Sequence, residues 1–199
     1  MPRCCAFCGV RCEQDEGHVC SGCKRDLLYS DRCVEAAPPF AAVVAPLAYA
    51  FPVDAAIKAL KFRRKLFYVP AFVELMIEAT RHLPASAEAL LPVPLHWWRH
   101  VVRGFNQSDE LCKSLRKVTG LPVTRAVRRV RATPSQTGLS APQRKANLRG
   151  AFRVVRKVRA RHIVIVDDVI TTGATARAVA RVLLDAGVDE VSLLALARA

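Results

Sequence analysis

The clearest hydrophobic pattern in the chain lies between residues 163 and 184. Four consecutive apolar residues, Ile163 to Val166, precede two adjacent carboxylates, and such a continuous run predicts a strand buried on both faces of a parallel sheet. From Ala174 to Leu184, apolar residues recur at helical spacing, which predicts a helix. The short segment between them is rich in hydroxyl groups and contains one glycine. The pattern therefore predicts a strand, a loop and a helix, with both acids at the carboxyl end of the strand.

Further strands and helices are predicted upstream, and together they indicate an α/β fold. Apolar, β-prone residues favour a strand or strand pair within 40–50, and Asp54 is a candidate N-cap for the first helix. That first helix precedes the basic run 61–65. The other predicted elements are a second helix over 68–82, a proline-terminated strand within 89–94, and a helix from Asn106 or Ser108 to Val118. We expect a twisted parallel sheet flanked by helices, with 163–166 as a central strand and the ligand at its carboxyl end.

The N-terminal segment carries a different pattern, built from cysteines. Two C-x2-C pairs are separated by eleven residues, and each pair turns two thiolates toward one point, so that together they complete a tetrahedral Zn²⁺ site of the zinc-ribbon type. A segment this small needs the metal to fold. We therefore expect a structural zinc ion on Cys5, Cys8, Cys20 and Cys23. Three nearby residues are alternative ligands: Cys4, Cys12 and His18.

Positive charge is concentrated in one part of the chain. The whole sequence has a net charge of +14, and residues 96–161 contain seventeen Lys and Arg against two acids, a net charge of +15. Such a field attracts polyanions, including nucleic acids. A genome that places arginine on solvated faces is the alternative explanation, but a uniform bias would not leave the flanking segments near neutral. We therefore favour a polyanion-binding surface.

The two acids and the loop behind them have the chemistry that a sugar phosphate requires. Backbone N–H groups and hydroxyls at the start of the following helix form an anion site that suits a 5′-phosphate. Two adjacent carboxylates can accept hydrogen bonds from a cis-diol. A buried strand followed by an ordinary turn is the alternative, but two adjacent acids at the end of a buried strand are costly unless something pairs them.

Residues 163–175 closely resemble the thirteen-residue signature with which type I phosphoribosyltransferases bind PRPP (5-phosphoribosyl 1-diphosphate). The resemblance implies that Asp167 and Asp168 are the catalytic acids, which hold the ribose hydroxyls directly or through Mg²⁺. It implies transfer through an oxocarbenium-like state, with Mg²⁺ bridging pyrophosphate and ribose oxygens. It also implies that five residues cradle the 5′-phosphate: Thr171, Thr172, Gly173, Ala174 and Thr175.

A second anion site is predicted after the strand at 89–94. Residues 97–107 are interpreted as an irregular basic loop followed by a glycine and a helix start. In phosphoribosyltransferases the corresponding loop receives the pyrophosphate, so the resemblance assigns Arg99 and Arg103 to the leaving group. The adjacent Trp97 and Trp98 are either core residues or an exposed stacking platform. We favour core packing, because it is the commoner fate of tryptophan.

The long segment from 134 to 152 lacks a strand pattern of its own, which is typical of a functional or disordered loop. Ser140 is a candidate cap for a short helix through Arg144. In related enzymes a mobile loop closes over PRPP and supplies a cation to the leaving pyrophosphate. By position, the candidates for this lid function are Arg131, Arg144 and Lys145. A solvated basic loop without such a function is the alternative.

Taken together, these motifs resemble the competence protein F (ComF) family over nearly the whole chain. Besides the ribbon and the Asp-Asp loop, the matching motifs are Leu60-Lys61-Phe62, Pro92-Val93-Pro94-Leu95, Arg103-Gly104-Phe105-Asn106-Gln107, Gln136-Thr137-Gly138-Leu139-Ser140, Arg144 and Asn147. The resemblance implies a zinc ribbon in residues 1–35, a phosphoribosyltransferase-like domain in residues 40–199, and a link to DNA uptake and natural competence. Many relatives have further cysteine pairs, whereas this chain has Cys33 alone in that region, so we expect no second zinc.

Three hypotheses on function follow: a phosphoribosyltransferase with an unknown acceptor, a non-catalytic accessory that handles single-stranded DNA, and a PRPP sensor without turnover. The expected partners are PRPP, single-stranded DNA and proteins of the competence machinery. No apolar run is long enough for membrane insertion, and the N-terminus lacks the apolar segment of a secretory signal. We therefore expect a cytoplasmic protein whose eight cysteines favour metal over disulfides. We also expect the larger domain to keep its fold without the ribbon, because it has its own core.

Overall fold

The fold is organised around a six-stranded sheet in which most strands run parallel. The computed structural model describes residues 4–13, 16–31, 34–35, 37–131 and 150–199. For residues 35, 99 and 100 it describes the backbone alone. No helix in the described part of the chain is both long and apolar enough to cross a membrane.

The strands are short at the start of the chain and long at its end. They are β1 (Val34–Glu35), β2 (Val43–Val44), β3 (Leu47–Ala48), β4 (Ala89–Pro92), β5 (Val127–Arg129), β6 (Phe152–Val154), β7 (His162–Ile170) and β8 (Glu190–Arg198). Within the described residues, the helices are α1 (Ser21–Asp26), α2 (Val53–Arg63), α3 (Tyr68–Ile77) with a 3₁₀ extension (Glu78–His82), α4 (Trp97–Arg103), α5 (Gln107–Thr119) and α6 (Ala174–Leu184).

The main sheet has the order β1-β2-β8-β7-β4, and β3 also pairs with β8. Strands β7 and β8 are parallel neighbours joined by α6, and β4 lies parallel on the other side of β7. Strand β7 is therefore central, as the continuous apolar run predicted. A separate antiparallel hairpin is formed by β5 and β6. The hairpin was not predicted. Each of its strands has only three residues, and half of the residues in the two strands are arginines, so that no apolar strand pattern is visible.

Alternate residues of β7 pack against two different helical layers. Val164 and Val166 face the core that holds α2, α3 and α5. Ile163 and Ile165 face the core that holds α6. A strand covered on both sides needs apolar residues at every position, which explains the uninterrupted run. The predicted α/β fold, a parallel sheet flanked by helices, is confirmed.

The N-terminal cysteine segment packs directly on α3. Val19 and Leu27 are buried in the same apolar cluster as Phe72 of α3, and the Phe7 ring lies 6.2 Å from the Tyr68 ring. The carboxylate of Glu74 accepts a hydrogen bond from the His18 N–H and pairs with a lysine of α1 over 2.6 Å. The ribbon segment thus shares its core with the larger domain.

Two expectations for the segment after β4 are wrong. Residues 97–103 form a helix, α4, where we expected an irregular loop. The helix leaves Trp97 64% exposed and Trp98 58% exposed, so the tryptophan pair is not in the core. The expected short helix from Ser140 through Arg144 lies outside the described residues, as does Cys33.

Candidate functional site

The candidate site exists because β7 is longer than its neighbour β4. Strand β4 ends at Pro92, which lies in register with Val166. Strand β7 continues to Ile170 and, among the described residues, is paired there with β8 alone. Asp167 and Asp168 therefore stand just beyond the end of β4, where no described strand covers the other edge of β7. Such a crevice at the carboxyl ends of parallel strands is the usual ligand position in an open α/β sheet.

A cavity of about 230 Å³ occupies this crevice and is lined mainly by polar groups. Both acids and the whole loop 171–175 line it. The structure therefore brings together the two parts of the signature that the sequence assigned to ribose and to 5′-phosphate. The remaining lining comes from α2, the segment after β4, the first turn of α5, β5, the end of β7 and α6, namely Lys61, Val93, Pro94, Leu95, Gln107, Arg129, Val169, Ile170 and Ala176.

The two carboxylates have different partners. Asp167 Oδ1 accepts hydrogen bonds from the hydroxyl of Ser108, over 3.2 Å, and from the N–H of Asp168, over 2.9 Å. Asp168 is 3% exposed and forms an ion pair with Nζ of Lys61. One acid is therefore held by neutral donors on fixed elements, and the other by a cation on a long side chain.

Burial is the main reason why the pKa of Asp167 is raised to about 8, and the neighbouring charge of Asp168 adds to it. Lys61 and the Asp168 N–H act in the opposite direction. Two carboxylates this close cannot both ionise at ordinary cost. The acid pair therefore holds a proton near neutral pH.

The loop at 171–175 is shaped by one glycine and one arginine. Gly173 has a φ of +68°, a backbone conformation that side chains with a Cβ rarely adopt. A Cβ at this position would also lie 2.7 Å from Nη1 of Arg177. The same guanidinium donates a hydrogen bond to the Thr172 carbonyl over 2.6 Å. The loop is thereby folded back on α6, and N–H groups at a helix N-terminus are suited to an anion.

Two arginines after β4, Arg99 and Arg103, were predicted to bind pyrophosphate. Both lie on helix α4 and not on an irregular loop. Arg103 donates to Oε1 of the cavity residue Gln107 over 2.6 Å, and its guanidinium lies 5.6 Å from the centre of the Phe62 ring. It therefore reaches the cavity rim through Gln107. The side chain of Arg99 lies outside the described residues.

The turn after Arg103 depends on a close approach between two elements. Arg64, the residue that ends α2, donates from Nε to the Arg103 carbonyl over 2.8 Å. Gly104 has a φ of +80°, and a Cβ there would clash with the guanidinium of Arg64. The positive φ therefore favours the glycine of the Arg-Gly-Phe-Asn-Gln motif, and a side chain there would also make the Arg64 guanidinium move.

The lid candidates are described only in part. Arg131 is exposed just after β5, while Arg144 and Lys145 lie outside the described residues. Arg129, at the end of β5, lines the cavity and stacks on the ring of Phe152 at 5.6 Å. The hairpin of β5 and β6 thus carries a cation to the cavity from the strand that precedes the long loop.

The N-terminal cysteines form a second candidate site. The sulfur atoms of Cys5, Cys8, Cys20 and Cys23 all lie within 4.8 Å of one another, and the Cys8 and Cys20 sulfurs are 3.7 Å apart. Four sulfurs at about 2.3 Å from a zinc ion are about 3.8 Å from each other in a tetrahedron. The donor set therefore fits tetrahedral zinc. Cys4 and Cys12 are outside this cluster.

The thiol of Cys5 is already biased toward the form that binds metal. Its burial opposes ionisation, but backbone N–H groups of Cys20, Cys8 and Phe7 outweigh that effect and lower the pKa to about 6. Metal ligands must be thiolates. The backbone around the cluster therefore supplies part of the stabilisation that a bound cation would complete.

Exposed aromatic side chains and an arginine lie on α4 and at the end of α2, the helix that also carries the cavity residue Lys61. Trp97 and Trp98 meet edge to face at 5.7 Å, and Phe62 is 74% exposed beneath the guanidinium of Arg103. We call these four residues the aromatic surface. It combines exposed rings with a cation, which is the composition of surfaces that stack nucleic acid bases.

Three charged or hydroxyl-bearing residues at the cavity or the acid pair were not assigned a function in the ligand site from the sequence. Lys61 belongs to the Leu-Lys-Phe motif, which indicated the family but predicted no function for the lysine. Ser108 was considered only as a helix start. Arg129 gave no signal beyond its place in the basic segment, because its position depends on the β5–β6 hairpin.

Comparison with known proteins identifies the family of the chain. The phosphoribosyl transferase domain family matches residues 102–199. The chain is 37% identical over 204 residues to the DNA utilization protein YhgH of Escherichia coli K12, covering 98% of this chain and 89% of that protein. It is 39% identical over 173 residues to the Salmonella typhimurium protein of the same name, covering 84% and 76% of the two chains.

A third relative carries the name that the sequence motifs suggested. The chain is 33% identical over 193 residues to Competence protein F of Haemophilus influenzae Rd, covering 90% of this chain and 84% of that protein. The resemblance inferred from the motifs is therefore confirmed. The chain belongs to the family of competence protein F and DNA utilization protein YhgH, and its C-terminal half is a phosphoribosyl transferase domain.

Proposed function

We propose that the cavity at the end of β7 binds PRPP with Mg²⁺ for transfer of its phosphoribosyl group to an acceptor. The observation that carries the proposal is that the acid pair and the loop 171–175 line one cavity. In this proposal Asp167 and Asp168 bind the ribose hydroxyls, and the loop binds the 5′-phosphate through N–H groups and hydroxyls. Arg99 and Arg103 are assigned to the pyrophosphate side.

The donor chemistry at the acid pair fits a magnesium ion. Mg²⁺ prefers carboxylate oxygens together with phosphate oxygens of a substrate, and it keeps several waters. Asp167 and Asp168 supply the carboxylates, and the polar cavity leaves room for the rest. When bound, the ion would neutralise the charge that develops on departing pyrophosphate. The chain's own part is to orient the ribose and to keep the phosphate groups at fixed positions.

Calorimetric titration with PRPP, with and without Mg²⁺, tests the proposal. Thr172→Val removes a hydroxyl from the loop, and Gly173→Val fills the space beside Arg177 and strains the backbone. Each loss of a charge-assisted hydrogen bond should cost on the order of 1.5–3 kcal/mol of binding free energy. Thr124→Val, outside the cavity, is the matched control and should bind as wild type. Equal affinity in all four proteins would move the 5′-phosphate site elsewhere.

Turnover separates an enzyme from a PRPP sensor. The protein would be incubated with PRPP, Mg²⁺ and a panel of nucleobases and amines, and pyrophosphate release would be followed. Release that depends on an acceptor and is lost in Asp168→Asn supports the transferase. Recovery of intact PRPP from a protein that binds it tightly would support the sensor.

A second candidate function, binding of single-stranded DNA, is favoured by the aromatic surface. Exposed rings stack on bases without regard to sequence, and arginines contact the phosphates. The net +15 of residues 96–161 supplies the charge, and relatives are named DNA utilization proteins. In this proposal Trp97, Trp98 and Phe62 contact bases, and Arg103 contacts the backbone.

Fluorescence anisotropy with labelled single-stranded oligonucleotides tests this second function. The logarithm of the affinity should fall linearly with the logarithm of salt concentration, because counterions are released. Trp97→Ala together with Trp98→Ala should weaken binding by about 1–3 kcal/mol for each base that loses its stacking partner. Phe51→Ala, which removes a 79% exposed ring at the other end of α2, is the control. An affinity that the double substitution leaves unchanged would exclude this surface.

A further inference from the structure

Lys61 reaches the acid pair from a helix that is otherwise occupied with packing. Helix α2 buries Val53, Ala56, Ile57 and Leu60 against the core. The next residue after Leu60 leaves that buried face at the helix edge, where it lines the cavity. Its Nζ forms the ion pair with Asp168, whose side chain is 4% exposed, while the Lys61 side chain is 21% exposed. The positive charge of Lys61 thus lies inside the site, although α2 is far in sequence from the signature at residues 163–175.

The two acids differ in how readily their partners can leave. Ser108 is 1% exposed and sits in the first turn of α5, so its bond to Asp167 is fixed by packing. Lys61 holds Asp168 through four rotatable side-chain bonds. A cation that enters the cavity therefore meets one carboxylate with fixed neutral donors and one with an exchangeable positive charge.

Lys61 and a divalent cation cannot occupy the Asp168 carboxylate together without strong repulsion, because like charges a few ångström apart in a half-buried site are poorly screened. A cation alone would have to displace Lys61 and leave its ammonium group without a carboxylate. A cation that arrives with a polyphosphate brings new anionic oxygens for that ammonium group. The site should therefore take the cation and the anionic ligand together far better than the cation alone.

We propose that Lys61 is a tethered cation that holds Asp168 until a divalent cation arrives with an anionic phosphate ligand, and that its charge then passes to the ligand's oxygens. The residue is a positioning residue that couples cation and ligand binding. This proposal rests on the PRPP site proposed above. In the ligand-free protein the ion pair also avoids an unpaired buried carboxylate, which is strongly destabilising.

The test measures binding of Mn²⁺, which is followed by electron paramagnetic resonance of the free ion. Wild type should bind Mn²⁺ weakly alone and much more tightly with saturating PRPP. Lys61→Met keeps the aliphatic stem and removes the charge, so it should bind Mn²⁺ alone about tenfold more tightly or better. In the same variant the enhancement of Mn²⁺ affinity by PRPP should shrink, because no tethered charge remains to be displaced.

Two further variants separate this effect from general changes. Lys58→Met removes the lysine one turn earlier in α2, which pairs with Asp54 at 2.7 Å outside the cavity, and should bind Mn²⁺ as wild type. Lys61→Arg keeps the positive charge, and its planar fork suits a carboxylate. It should bind Mn²⁺ alone no more tightly than wild type, and it carries the test if Lys61→Met does not fold.

Equal Mn²⁺ affinities of wild type and Lys61→Met would overturn the proposal, as would an undiminished enhancement by PRPP in Lys61→Met. Tighter Mn²⁺ binding in Lys61→Arg than in wild type would also contradict it. The two proposals remain distinguishable. If wild type binds no PRPP, the PRPP site is refuted, and the comparison with Mn²⁺ alone still decides whether Lys61 competes for Asp168.

Discussion

Ser108 donates a hydrogen bond to Asp167 across 3.2 Å, which joins the first turn of α5 to the acid pair on β7. The serine directly follows the segment 97–107 that the sequence assigned to pyrophosphate, and the acid belongs to the ribose signature. The bond therefore ties the helix that follows one predicted part of the ligand site to the other predicted part. A change at either residue should affect both the fold and the ligand site.

Ser108→Ala should lower the free energy of unfolding by about 1 kcal/mol near neutral pH, the usual net worth of one hydrogen bond. The loss should grow as the pH rises past about 8 and Asp167 ionises, because bonds to charged acceptors are stronger. Denaturant titrations at several pH values measure this. Ser114→Ala, on the same helix and half-buried, is the control. A loss that does not vary with pH would contradict either the bond to Asp167 or the ionisation of Asp167 near pH 8.

The raised pKa of Asp167 predicts a specific pH dependence of stability. The folded protein keeps the proton up to about pH 8, whereas an ordinary aspartate loses it near 3.8. Between these values the folded state binds more protons than the unfolded state, so this group makes stability fall as the pH rises. Asp167→Asn keeps an acceptor for Ser108 and cannot ionise. The melting temperature of wild type should therefore decline more steeply over this range than that of Asp167→Asn.

All other titrating groups are common to wild type and Asp167→Asn, so the difference between the two curves isolates the acid pair. Parallel curves would show that Asp167 ionises in the folded state at an ordinary pH. Mg²⁺ with PRPP should flatten the wild-type curve, because a bound cation favours the ionised pair.

The sequence predicted those parts of the site that lie within one continuous segment. Strand 163–166, the acids and helix 174–184 follow from local patterns, because burial on both faces and helical spacing leave direct marks on neighbouring residues. Lys61 and Arg129 could not be found in this way. Their place in the cavity depends on how α2 and the β5–β6 hairpin pack on the sheet.

For the tryptophan pair, the sequence led to a prediction that the structure contradicts. Trp97 and Trp98 were expected in the core from the general preference of large apolar side chains. Helix α4 instead follows the end of β4 at the rim of the sheet, where both indoles are exposed. The residue type gives only the average burial of tryptophan. An exposed apolar pair departs from that average and therefore indicates a binding surface more strongly than a buried pair would.

Asn106 is predicted to stabilise the site through two separate bonds. Its Oδ1 accepts from the Ser108 N–H over 3.1 Å and caps α5, while its Nδ2 donates to the Val93 carbonyl over 3.0 Å. Asn106→Ala should lose about 1 kcal/mol of stability or somewhat more. Asn106→Asp keeps the cap but not the donor, so it should recover part of the loss. Thermal unfolding of the three proteins would show this order, and full recovery by aspartate would mean that the bond to Val93 contributes nothing.

Removal of the metal should destabilise the larger domain as well as the ribbon segment. From the sequence we expected the larger domain to be independent, but Val19 and Leu27 are buried in the same cluster as Phe72 of α3. A chelator that removes zinc from Cys5, Cys8, Cys20 and Cys23 should therefore loosen α3 as well. Hydrogen exchange of α3 amides should speed up on chelation, and the whole chain should melt at a lower temperature.

Two cysteine variants test both this coupling and the choice of ligands. Cys20→Ser removes one sulfur of the cluster, so it should already melt at the lower temperature and respond little to chelator. Cys4→Ser, exposed and outside the cluster, should hold one zinc and respond as wild type, because a ligand set of four sulfurs is complete without it. If chelator does not change the hydrogen exchange of α3 amides in wild type, the larger domain is independent of the ribbon segment, as the sequence led us to expect. Loss of zinc in Cys4→Ser would instead replace one of the four assigned ligands.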